Sequence, residues 1–163
     1  MGQFSKDWNN KRWKVFLGFK GELPTEGDLQ SIKVLVFPGS ARAVYDESNL
    51  FVSVVSAFIR KVMESYPSVK LFGSCFGHQI FGHALGGQTS QMQGIPSWRQ
   101  KIIGREHIQL TDSFFTMPYV QKYMSDNSLT IDTFPSIVMQ QSHGDHVSTL
   151  PASATLFGFS DSC

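Results

Sequence analysis

Gly73-Ser74-Cys75-Phe76-Gly77 joins a short apolar run, Val69 to Phe72, to a stretch of helical pattern from His78 to Leu85. A G-x-C-x-G turn between a strand and a helix demands that the two elements pack almost backbone to backbone. The central residue then sits on a strained apex, and its neighbours must be small. Such an apex displays its side chain, and two properties follow. The helix that starts beyond Cys75 directs its positive end at the sulfur, a favourable place for an anion. Backbone N–H groups at the same point can hold the oxyanion of an acyl-transfer reaction. Most free cysteines are small buried hydrophobes; the paired glycines and the strand-to-helix placement argue against that here.

Periodicity builds an α/β unit around this turn. Lys33-Val34-Leu35-Val36-Phe37, ended by Pro38-Gly39-Ser40, reads as a buried parallel strand feeding a loop. From Asn49 to Tyr66, Leu50, Val54, Ala57, Phe58 and Val62 recur at helical spacing, and Pro67 stops the helix. Gly86-Gly87 ends the helix beyond the elbow. Strand, helix, strand, turn, helix predicts a parallel sheet whose ligand lies at the carboxyl ends of the strands, where Gly39 and Cys75 both fall. Elsewhere the pattern predicts a loop or helix remnant over residues 1–12, a strand from Trp13 to Phe19 and a turn from Gly21 to Gly27. Thr89 to Gln100 reads as polar loop and His107 to Thr111 as a half-exposed strand. Phe114 to Ser125 reads as a short helix, Ile137 to Gln141 as a strand, Ser142 to Asp145 as a polar turn and Thr155 to Phe159 as a last strand. The polar and aromatic stretch from Gln91 to Asp132 suggests no function.

Composition narrows the class. In a chain of 163 residues, 41% are hydrophobic and 17% charged, enough for one packed domain spanning residues 1–163. A net charge of +1 without a basic stripe gives no electrostatic case for nucleic acid. No apolar run approaches the roughly 20 residues that span a bilayer, and the opening residues fit neither a signal peptide nor a myristoylation pattern, since Lys6 stands where Ser or Thr is needed. Two cysteines, Cys75 and Cys163, make no disulfide framework, so a reduced, cytoplasmic setting is expected. No metal and no cofactor are expected, because no Cys/His cluster has ligand spacing and no G-x-x-x-x-G-K loop occurs.

Gly73-Ser74-Cys75-Phe76-Gly77-His78-Gln79-Ile80, running on to Gly86-Gly87, resembles the nucleophile motif of class I glutamine amidotransferases, including stand-alone plant and fungal proteins related to γ-glutamyl peptidases. Further blocks follow in the family's order. Gly21-Glu22-Leu23-Pro24 is similar to a turn before an early strand. Pro38-Gly39-Ser40, with Tyr45-Asp46 after it, is similar to the loop that supplies an oxyanion-hole amide. Gly104 with Ile108, Leu110 and Thr111 is similar to the strand after the elbow helix. Gln141-Ser142-His143-Gly144-Asp145-His146-Val147, then Leu150-Pro151, is similar to the family's Ser-His-x-Asp-x-Val segment. The resemblance implies a flavodoxin-like three-layer α/β sandwich with a mainly parallel sheet, incomplete at both termini. It implies Cys75 as nucleophile and Gly39 and Phe76 as oxyanion-hole amides. Ser40, Gln79 and the Ser142, His143, Gly144 and Asp145 turn would contact a small-molecule substrate, glutamine or a γ-glutamyl compound. A synthase partner would receive ammonia in an amidotransferase of this kind.

A cysteine nucleophile needs a base, and the base an orienting carboxylate. In the family these come from a His-Pro-Glu segment, which this sequence lacks. His78 lies in the elbow, His83 on the next helix, His107 in a strand, and His143 and His146 in the Ser-His-x-Asp-x-Val segment. His143-Gly144-Asp145 has the spacing of a base with its orienter, although the family places this segment at the substrate. Three readings therefore follow: a cysteine hydrolase, a non-catalytic truncated or degenerate relative that keeps the fold and binds a ligand or partner, and a redox role for Cys75.

Overall fold

The computed structural model describes residues 13–46, 48, 50–92 and 102–161. Leu17 O accepts from Lys20 N at 2.7 Å to start a 3-10 turn over Gly18–Lys20, and Gly21, at φ 80°, closes it. Thr25 caps helix α1 (Glu26–Ser31): its hydroxyl accepts from Asp28 N and the Asp28 carboxylate accepts from Thr25 N, a reciprocal cap. Lys14 reaches the same carboxylate at 2.7 Å, and these hydrogen bonds, the lysine's first, hold Asp28 down to a pKa of about 2.

Strand β1 (Val34–Phe37) pairs in parallel with β2 (Lys70–Gly73), with Phe37 opposite Gly73. Helix α2 (Leu50–Ser65) crosses between them and buries Val52, Val55, Phe58, Ile59 and Val62, one face at three- and four-residue spacing. Helix α3 (Phe76–Ala84) leaves β2 through Ser74 and Cys75 and buries Phe76, Ile80 and Ala84. Val44, Val52, Val55, Ile59, Phe76 and Ile80 form one core cluster, backed by Phe37 and Leu71. Leu29, Phe58, Val62 and Val69 form the second, backed by Leu35. Helices α1 to α3 therefore cover the face of the parallel pair that carries Leu35, Phe37 and Leu71. On its other face Val34, Val36 and Phe72 are exposed among the described residues.

Past α3 the pairing is antiparallel. Strand β3 (Gln88–Gln91) pairs with β6 (Asp145–Thr149), and β4 (Ile102–Leu110) lies between β5 (Ser136–His143) and the two-residue β7 (Gly158–Phe159). Helices α4 (Asp112–Phe115) and α5 (Pro118–Asp126) fill the excursion between β4 and β5. The expected α/β, flavodoxin-like architecture is what the chain adopts, with parallel pairing between β1 and β2 among the described residues.

Several local expectations are corrected. Trp13 to Phe19 is not a strand: Trp13, Val15 and Phe19 are exposed, and the segment runs into the 3-10 turn. The Gly21 to Gly27 turn is cut short by the Thr25 cap, which places Gly27 inside α1. Phe114 to Ser125 divides into two helices because Pro118 forces Met117 out of the helical region, to ψ 128°. Ser142 to Asp145 is no four-residue turn. Ser142 and His143 end β5, Gly144 alone makes the bend, and Asp145 begins β6. The first part of the Thr89 to Gln100 loop is strand, since Thr89 and Ser90 pair with Val147 and His146. Residues 93–101 and 1–12 lie outside the described residues. The last strand shrinks to Gly158–Phe159, while Leu156 and Phe157 are held through carbonyls that accept from Thr111.

Two glycines allow the elbow. A Cβ on Gly73 would stand 2.5 Å from the Gly77 carbonyl atoms, and a Cβ on Gly77 would collide with the Phe37 carbonyl. Neither obstacle is a movable side-chain tip. Gly77→Ala should therefore destabilise the fold by at least ~2 kcal/mol, as backbone overpacking does. Gly104→Ala, with nothing within 4 Å of its added Cβ, should stay within about 0.5 kcal/mol of the parent. Paired urea denaturation curves check both.

Candidate active site

Cys75 stands between β2 and α3 with φ 54° and ψ −114°, a backbone conformation that L-residues rarely adopt. Holding it there costs ~1–3 kcal/mol, which the surrounding structure must supply. It does so through bonds at both ends of the turn. Ser74 N donates to Phe37 O at 3.0 Å, Gly77 N to Ser74 O at 3.0 Å and Gln79 N to Cys75 O at 3.1 Å. The thiol is free and exposed.

Gly39 lies directly against this sulfur. A Cβ built on it would sit 3.5 Å from Cys75 Cβ and 3.7 Å from Sγ. The loop carrying Gly39 is braced from within. Ser40 Oγ accepts from Arg42 N at 3.2 Å, Asp46 N donates to Ala43 O, and Asp46 Oδ1 accepts from Ser48 N and Oγ. Val44, 2% exposed, pins the loop to the core. Phe76 opens α3 beside Cys75, its ring buried in the core and 5.8 Å from that of Phe51.

A second cluster forms around Asp145. Gln79, itself buried, donates from Nε2 to Asp145 O at 2.9 Å. His143 Nδ1 lies 3.1 Å from the same carbonyl oxygen. A carbonyl only accepts, so this hydrogen bond requires Nδ1–H and leaves the lone pair of a neutral His143 ring on Nε2. The Asp145 carboxylate accepts from Tyr45 Oη at 2.8 Å, a link between residues 100 apart in sequence. Desolvation first, and then the hydrogen bond and charge of Asp145, push the Tyr45 phenol up to about 12, so it remains a donor. His78, one turn into α3, touches solvent. Even so, crowding around its ring lowers its pKa, and the charge of His143 lowers it further.

The structure thus joins Gly39 to Cys75 and gathers Gln79, His143 and Asp145. Gly144 is the bend between β5 and β6. Ser142 occupies a β5 position opposite Ile103, and the Ser40 hydroxyl turns back onto its own loop. Tyr45 stands in the family-like loop after Gly39, but sequence reasoning gave it no role of its own, because its partner lies in a distant segment. An open cleft of about 540 Å³, lined in part by Val44, Tyr45, Asp46, His83, Thr89 and Ser90, shares Tyr45 with this cluster and does not include Cys75. Among the described residues no three His, Cys, Asp or Glu side chains are grouped to hold a metal ion, and no helix is long and apolar enough to cross a membrane.

Residues 23–163 match the family described as Glutamine amidotransferase class-I. The chain is 29% identical to gamma-glutamyl peptidase 2 of Arabidopsis thaliana over 154 residues, covering 94% of this chain and 54% of that protein. It is 24% identical to a glutamine amidotransferase-like protein of Schizosaccharomyces pombe, covering 98% of this chain and 57% of the other. The chain spans about half the length of these relatives. Among solved structures, a glutamine amidotransferase from Thermotoga maritima superposes with a TM-score of 0.68 at 20% identity, over 99% of this chain and 62% of that one.

The proximity of the two histidines has a measurable consequence. A folded-state pKa below the ordinary 6.5 means that protonating His78 opposes folding, so stability is full above pH 6.5 and declines as pH falls through the folded value. His143→Gln should move the His78 midpoint upward but leave it below the ordinary value, because desolvation is the larger cause. NMR titration of the His78 ring reads this out.

Proposed function

The chain belongs to the class I glutamine amidotransferase family, and from that premise we propose that it is a cysteine hydrolase of the γ-carboxamide of glutamine or of γ-glutamyl peptides. One observation carries the reading: Cys75 is held at φ 54° on a strand-to-helix elbow with Gly39 packed against its sulfur. A thiol presented in this way can be approached by a carbonyl carbon while backbone amides face the oxygen. Cys75 Sγ attacks the γ-carbonyl carbon, and the oxyanion is received by the amides of Gly39 and Phe76. The C–N bond then breaks, and the amine leaves as ammonia or as a shortened peptide carrying the proton. Water hydrolyses the resulting thioester, releasing the γ-carboxylate and restoring the thiol. Ammonia passes to a synthase partner or to solvent.

Gln79, His143 and Asp145 form the wall that holds the glutamyl group, with Ser142 and Gly144 completing the β5–β6 bend and Ser40 flanking Gly39. A cytoplasmic, reducing setting suits a working thiol. A second reading rests on a different observation, the Gln79, His143 and Asp145 cluster, against which a glutamyl group can rest whether or not Cys75 reacts. It is a family member that binds the glutamyl group without cleaving it.

The two readings separate on incubation with L-glutamine and with γ-glutamyl-alanine. The hydrolase releases glutamate, is labelled at Cys75 by a diazo-oxo-norleucine reagent, and loses at least about a thousandfold of its rate in Cys75→Ala. Slower alkylation of Cys75 by iodoacetamide in His143→Ala, a reaction independent of the glutamyl wall, would mark His143 as the base. A folded chain that binds glutamine but neither hydrolyses it nor takes the label is the non-catalytic member. Hydrolysis undiminished in Cys75→Ala would refute the cysteine mechanism.

A further inference from the structure

Two parts of the proposed site are built separately. The elbow is fixed by backbone contacts among β1, β2 and α3, and Gly39 lies against the Cys75 side chain. The Gln79, His143 and Asp145 wall belongs to α3, β5 and β6, and Asp145 is also paired with Gln91 of β3. A substrate held against both needs their spacing to be set. Tyr45 stands at that junction, its phenol donating to Asp145 Oδ1 at 2.8 Å. Behind it runs the loop from Gly39. Between Gly39 and Tyr45 it is braced by the Ser40 to Arg42 and Asp46 to Ala43 hydrogen bonds and anchored by buried Val44. On the other side, the Asp145 carbonyl accepts from Gln79, so a shift of Asp145 is felt by the side chain one turn beyond Cys75.

We propose that Tyr45 is a positioning residue of the Cys75 site, fixing the Gly39 loop against the Gln79, His143 and Asp145 wall and so setting how tightly a γ-glutamyl group is held. The inference rests on the hydrolase reading above. Tyr45 has no part in the glycine contacts that form the elbow, and neither its phenol nor the Asp145 carboxylate appears among the bonds that fix Cys75. Its effect therefore falls on substrate binding more than on bond breaking. A hydrogen bond to a charged acceptor, tempered by the partial exposure of the phenol, corresponds to a roughly 5–20-fold change in binding.

Tyr45→Phe in the full chain removes the hydroxyl and keeps the ring. The expected result is a KM for L-glutamine raised ~5–20-fold with kcat changed by less than about twofold. The urea midpoint should fall by no more than the loss of one partly exposed hydrogen bond, about 1 kcal/mol, accounts for, and the rate of Cys75 alkylation by iodoacetamide, which needs no glutamyl pocket, should be unchanged. Tyr45→Phe/Asp145→Ala should bind no more weakly than Asp145→Ala alone, because both substitutions remove the same bond. Wild-type hydrolysis with an unaltered KM in Tyr45→Phe overturns this inference and leaves the hydrolase reading standing. So does a Tyr45→Phe variant that unfolds or loses kcat and stability together, since the phenol would then be a fold contact. A wild-type chain that neither binds nor hydrolyses glutamine, by calorimetry and glutamate release, overturns both.

Discussion

The contact between Gly77 and the Phe37 carbonyl is the constraint on which the rest of the structure depends. It lets α3 start directly over β1, so close that no side chain fits between them. With Gly73 giving way in the same manner to Gly77, the chain turns from β2 into α3 over two residues, and the second must take a positive φ. The cost of that conformation is met by the burial of Phe76, Ile80 and Ala84 against α2. The core is thus arranged to hold one strained residue, and that residue carries the thiol.

The same packing decides what surrounds the sulfur. Because β1 and β2 are parallel and in register from Val34 opposite Lys70 to Phe37 opposite Gly73, both strands end at the same level. The loop after Phe37 and the elbow after Gly73 therefore emerge side by side, which brings Gly39 to Cys75. The antiparallel half of the chain meets the parallel half at Asp145. Asp145 receives Gln79 and His143 on its carbonyl and Tyr45 on its carboxylate, joining the β1 loop, α3 and the β5–β6 bend. Gly82 makes this approach possible, since an added Cβ there would press on Val147 of β6 at 2.8 Å.

Legibility in the sequence followed how local each signal was. Val34 to Phe37, the helix before Pro67, Val69 to Phe72 and the two glycines around Cys75 all declare themselves through neighbours within a few residues, and the elements they predict are present. The inward face of that helix was misplaced: Phe58 and Val62 are buried as expected, but Leu50, Val54 and Ala57 are exposed, and Val52, Val55 and Ile59 pack in their stead. Trp13 to Phe19 alternates like a strand but has no pairing partner among the described residues, and alternation alone does not make a sheet. Gln88 to Gln91 was hidden for the opposite reason, being polar and held by pairing with β6 rather than by apolar periodicity. At the site, Cys75 and Gly39 were legible from small residues at turns. Gln79, His143 and Asp145 rested on resemblance alone, and their convergence on one carbonyl is a tertiary fact. Tyr45 and Asp145 each lie in a segment that the resemblance marks, but nothing in either segment shows the hydrogen bond between them, 100 residues apart.

A strained elbow that presents a thiol to a carbonyl carbon is the central claim, and a covalent intermediate tests it most directly. The chain is mixed with γ-glutamyl-alanine, quenched in acid within its turnover time, digested and mapped by mass spectrometry. The account predicts a glutamyl group in thioester linkage on the peptide containing Cys75, and its disappearance after mild hydroxylamine treatment. Glutamate released in the same reaction while Cys75 stays unmodified at every quench time, or a glutamyl group found on another residue, would contradict it.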